Sequence, residues 1–208
     1  MNTRVHVHSD TLGQHVRRVL LLTQLVFFTS LIVCWVVAGG ARASANGISY
    51  YGVYLPTLPI ITVGYLAASV GLWRTATYFK YLEQAQFVVF GLRYIALGLI
   101  GLLLVPYNIN GYWSAGHTIL GVTGAVMQVA MTIVLLRPLH SWRGWIAFVT
   151  QISGGLVAFA ALPDWKFGYL LQGETIFQIG FGWCLLELTF QVKRLPYLPH
   201  LMKHTPRS

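Results

Sequence analysis

Few side chains in this sequence can do chemistry, and they are easy to pick out. Asp and Glu number only 5 among 208 residues, beside 14 Lys and Arg. Arg93 and Glu187 each fall inside an apolar run. An ionisable group is costly there and is a first candidate for function. At 1.5 Å of rise per helical residue, Arg93 sits about 9 Å into its run and Glu187 at nearly the same depth. A pair between them is geometrically allowed. It would fix helix register, or gate a proton or a ligand. Glu174, Asp164 and His117 form a second set near the opposite end of the runs. A carboxyl group in apolar surroundings can serve as a general acid and an imidazole as a general base. Glu187, Glu174 and Asp164 are therefore the candidate acids and His117 the candidate base. Each also has a plainer reading, as a helix tie or an interfacial residue.

Amides make a further polar set: Gln24, Gln128, Gln151, Gln178 and Gln191. Most of them are expected to bridge helices. Gln128 and Gln151, together with Arg93, Glu187, Tyr51, Asn108 and Trp113, are the candidates for contacting a ligand. The last three belong to loops rich in Tyr and Trp, residues that also anchor proteins at a membrane surface. Cys34 and Cys184 lie in apolar runs with neither a CxxC nor a metal spacing, so both are expected to be inert thiols. No phosphate loop, HExxH or GxSxG motif is present. The last apolar run has no mid-helix lysine for a Schiff base, and no paired histidines suit a haem. No metal and no cofactor is expected.

Composition dictates what positions these groups. Hydrophobic residues make up 56% of the chain and charged residues 9%, where a soluble domain carries about 25% charged. Mean hydropathy is +0.63. Such a chain cannot cover a water-facing surface. Six runs approach the 20 or so apolar residues that a spanning helix needs: residues 19–39, 57–73, 87–105, 115–136, 144–162 and 175–192. The expected fold is an all-α, polytopic bundle of six transmembrane helices joined by short connections. Basic tails at 1–18 and 193–208 flank it.

Orientation follows from where Lys and Arg fall. Arg4, Arg17, Arg18, Arg74, Lys80, Arg137, Arg143, Lys193, Arg194, Lys203 and Arg207 share one side. Arg42 and Lys166 hold the other. Both termini are expected in the cytoplasm of a multi-pass cell-membrane protein. The formal charge of +9 is then surface electrostatics toward anionic headgroups, and no nucleic-acid partner is expected. A competing reading takes Ala41-Arg42-Ala43 as a signal-peptidase site after the first run. That run is longer than the usual signal segment, and its retention as a helix is the expectation.

The first outer loop carries a resemblance. Ile48-Ser49-x-x-Gly52-x-x-x-Pro56, with His117 followed by Gly121, resembles the Frag/DRAM/Sfk group of six-span membrane proteins and their bacterial relatives. Tyr50 stands where that group often has an acidic residue. The resemblance implies roles in membrane lipid organisation or lipid-anchor handling. Three functions are therefore in view. The leading one is a membrane protein that binds or organises a lipid, or another hydrophobic small molecule, within its bundle. A homo-oligomer or a membrane partner protein would fit the same reading. The alternative is an embedded enzyme acting on a lipid or prenyl-type substrate by acid–base catalysis. The third is a small proton-linked transporter using Arg93 and Glu187.

Overall fold

A computed structural model describes residues 3–79, 86–139, 141–161 and 168–191. These residues are almost all helical. The order is α1 (Thr3–Ala38), α2 (Ala41–Asn46), a 3-10 turn (Ile48–Gly52), α3 (Leu58–Phe79), α4 (Gln86–Leu104), α5 (Gly111–Leu139), α6 (Trp142–Ala160) and α7 (Leu170–Gln191). The described part of each of the six apolar runs falls, but for an end residue or two, in its own long helix. Three stretches, Gln14–Ala38, Gln86–Leu104 and Gly111–Leu136, are long and apolar enough to cross a membrane.

The helices outrun the apolar stretches that predict them. α1 begins at Thr3 rather than Val19, α3 continues past Trp73 to Phe79, and α7 begins at Leu170 rather than Thr175. The physical reason is that backbone hydrogen bonding does not stop where hydropathy falls. Arg, Lys and Gln are good helix formers. α1 stops at Gly39 and Gly40, with φ of 72° and 70°. This is the left-handed geometry in which glycine commonly ends a helix. The connection after it, expected as a plain loop, folds into α2 and the 3-10 turn.

The long helices form a ring. α1 packs on α3, α3 on α4 and α4 on α5; α6 and α7 form the closest pair and shut the ring against α1 and α5. Glycine sets that closeness. A Cβ on Gly154 would run into the Phe177 backbone of α7, and one on Gly180 into the Gln151 backbone of α6. Small residues allow such approach between helices.

The interior has two apolar clusters. One joins Leu20, Leu72, Leu92, Met131 and Leu185. The other joins Phe27, Cys34, Tyr51, Ile61 and Tyr65 beside the 3-10 turn. The outer surface is also apolar: Leu22, Leu25 and Val36 of α1 are 62%, 64% and 68% exposed. Soluble monomers rarely expose large continuous patches of this kind.

Candidate functional site

Between the two clusters the ring encloses a cavity of about 470 Å³. Its walls are mainly apolar: Phe27, Leu72, Ile95, Leu99, Phe177 and Phe181. Polar side chains interrupt them, among them Gln178, one turn along α7 from Glu174. Ser49, His117 and Glu174 lie at the end that carries the 3-10 turn, while Thr23, Gln24 and Gln128 lie deeper. His117 and Gln128 share α5 and are separated by about 16 Å of helix axis. Val122 and Val126 of α5 and Phe159 of α6 also line the cavity, although they are 56%, 62% and 57% exposed. The space therefore opens sideways, past α5 and α6.

The polar end is built from three elements. His117, early in α5, reaches both neighbours. Its Nδ1 is 2.6 Å from the carbonyl oxygen of Val105, where the chain leaves α4. Its Nε2 is 2.7 Å from the Ser49 hydroxyl. A carbonyl can only accept, so Nδ1 carries the proton. In the neutral ring Nε2 is then the acceptor, and Ser49 donates to it. The Tyr107 ring meets the imidazole edge-on, 5.6 Å away between centres.

Glu174, on the first turns of α7, fixes the segment just before Ser49. Its Oε2 accepts the backbone N–H of Ile48 at 2.6 Å. Gln172, two residues earlier on the same helix, donates to the Ser44 hydroxyl at 3.1 Å. The start of α7 thus clamps residues 44–48. Gly47 makes the clamp feasible. It has φ 74° and ψ −171°, a region that is essentially glycine-only. A Cβ there would also collide with the Glu174 carboxylate.

At the deeper end Gln128 is buried, and its Oε1 has no hydrogen-bond partner among the described residues. A buried acceptor left unpaired costs free energy. Gln128 faces the cavity, so a donor group on an occupant would satisfy it.

The remaining sequence candidates lie elsewhere. Arg93 sets its guanidinium 5.1 Å from the centre of the Trp73 ring on α3. Glu187 accepts a 2.8 Å hydrogen bond from Ser141. Ser141 is the N-cap residue of α6 and makes no side-chain cap bond of its own. The Glu187 carboxylate therefore stands by the N-terminus of α6, where a negative charge is favourable. Depth along the helix axis placed Arg93 and Glu187 level, yet they turn to different neighbours. Gln151 is fully buried where α6 meets α7, and both its amide atoms lack partners among the described residues.

Tyr51, in the 3-10 turn itself, is fully buried. Burial pushes its phenol up to about 12, so it stays protonated and is no base. Asn108 and Trp113 are exposed in and after the α4–α5 connection. Asp164 lies outside the described residues. Three candidates thus meet at the cavity: His117, Glu174 and Gln128. Ser49 was not among the candidates. Its one signal was its place in the Ile48-Ser49 motif, which meets the other half of that resemblance, His117, across 68 residues of chain. Comparison with protein-family models, with curated proteins and with solved structures gave no match.

Proposed function

We propose that this protein is a six-span membrane protein, with both termini in the cytoplasm of a cell membrane, that holds a single-chain lipid or similar amphiphile within its helix bundle. The observation that carries the reading is the cavity: mainly apolar in its walls, with polar groups at the 3-10 turn and a few farther in, and open sideways past α5 and α6. A molecule with a long apolar body and a polar head matches that distribution. Burying its chain gains about 0.8 kcal/mol per CH₂ when the chain comes from water. A chain coming from the bilayer gains much less, so the polar contacts must supply the preference. In this reading Ser49 and His117 meet the head beside Glu174, and the Gln128 acceptor favours a hydrogen-bond donor farther along the occupant. Exposed apolar faces and the distribution of Lys and Arg support the membrane setting.

A photoreactive fatty acid with a diazirine in its chain tests the reading on protein in lipid nanodiscs. Adducts are expected on the cavity-facing positions of α4 and α5, around Leu99, Leu102, Leu120 and Ala125, and should be competed away by unlabelled single-chain lipid. Adducts confined to outward residues such as Leu22 and Val36 would remove the cavity from the function.

A further inference from the structure

We propose that Ser49 and His117 form a nucleophile–base pair that cleaves the carboxylic ester of a single-chain lipid held in the cavity. The inference rests on the amphiphile reading and adds a reaction to it. Three observations carry it. The Ser49 hydroxyl and His117 Nε2 are 2.7 Å apart, within the reach that proton abstraction requires. The opposite ring nitrogen is held at 2.6 Å by the Val105 carbonyl. That fixes the tautomer and points Nε2 at the hydroxyl. A base held by a third group is the arrangement that activates a serine nucleophile. Finally, both side chains line the apolar cavity, so an ester linking head to chain would lie beside them.

A serine–histidine hydrogen bond whose only duty is to hold a loop has no need of a cavity at its side. Here the loop is already held independently, by Glu174 on the Ile48 amide and by Gln172 on Ser44. Glu174 is a positioning residue, since it acts on Ser49 through the backbone before it.

The reaction balances with water as the only co-reactant. Ser49 Oγ bonds to the ester carbonyl carbon while its proton passes to His117 Nε2. The carbon–oxygen bond to the alcohol breaks, and the Nε2 proton goes to the departing oxygen. An acyl-serine remains. Water then attacks the acyl carbon and gives a proton to Nε2. The bond to Oγ breaks, Oγ takes that proton back, and a fatty acid is released. The sum is ester plus water to acid plus alcohol.

The test is a long-chain alkyl fluorophosphonate, incubated with the purified full chain in nanodiscs and followed by peptide mass spectrometry. A covalent adduct on Ser49 is expected, forming at least about 10²-fold faster than on any other serine. The His117→Asn variant, checked as folded by its thermal melt, should lose about that factor. If it does not fold, His117→Gln takes its place. In parallel, photoreactive fatty-acid crosslinking is measured on the parent protein. Crosslinking in the cavity with no Ser49 adduct would overturn the nucleophile and leave lipid binding intact. An adduct that forms at the parental rate in the folded His117 variant would overturn the pair. Absence of both cavity crosslinks and Ser49 adduct would overturn both readings. A Ser49 adduct that depends on His117 supports the pair even where the fatty acid itself fails to crosslink.

Discussion

Single side chains at the polar end divide into those that do chemistry and those that hold them. Glu174 is a holder. Changing it to Ala removes the acceptor for the Ile48 N–H and leaves a part-buried donor unsatisfied. The cost should be about 1–3 kcal/mol, read as a lower midpoint in a thermal melt in detergent. Glu174→Gln keeps an accepting oxygen and should lose far less. Gly47→Ala asks a side chain to adopt φ 74° and to overlap the Glu174 carboxylate. It should destabilise by about 1–3 kcal/mol even though it adds only a methyl group. At this scale the sequence was half informative. His117 and Glu174 announced themselves as titratable groups near helix ends. Ser49 did not, because serine is common in loops and its role comes from a partner 68 residues away. Axial depth leaves a pair between Arg93 and Glu187 open, since it says nothing about which face of a helix a residue occupies; the two side chains meet Trp73 and Ser141.

Among elements, the α6–α7 pair is the most demanding. Gly154 and Gly180 bring backbone against backbone, and a larger residue at either position cannot be absorbed by a side chain moving aside. Gly180→Leu should force the helices apart and cost at least about 1–3 kcal/mol through overpacking, with a matching loss of folded material on size exclusion. Gly98 on α4 is the control. Nothing lies within 4 Å of a Cβ built there, so Gly98→Ala should keep or raise the melting midpoint, by up to about 1 kcal/mol from helix propensity alone. The six helices were legible because apolar runs closed by proline or basic residues mark where a helix can lie. The helical character of 41–46 and the 3-10 turn were not. α2 is organised by contacts with α7, and the turn by contacts with α2, α3 and α7, rather than by any periodicity of their own. The glycines were visible as small residues, but which of them touch backbone emerges only when the helices are packed.

For the whole molecule, the ring of helices does two things at once. It presents apolar side chains outward and keeps a cavity inside, placed where the two core clusters leave room between them. The outward face was readable from composition. The cavity was not, because an empty volume depends on how all six long helices meet, and no single helix records it. The proposed membrane orientation yields a prediction of its own. Reporters fused behind Ser208 should be active only in the cytoplasm, and those inserted after Asn110 only outside. Exchanged activities would reverse the orientation assigned to the polar end.

The most direct measurement compares the parent protein with Gly121→Leu for binding a fluorescent single-chain fatty acid in detergent. Gly121 lines the cavity, and a Cβ there meets nothing within 4 Å, so a larger side chain has open space to start into. Affinity at least tenfold weaker, about 1.4 kcal/mol, with an unchanged or higher melting midpoint is the result expected of a chain seated in the cavity. Equal affinity in the two proteins would contradict it.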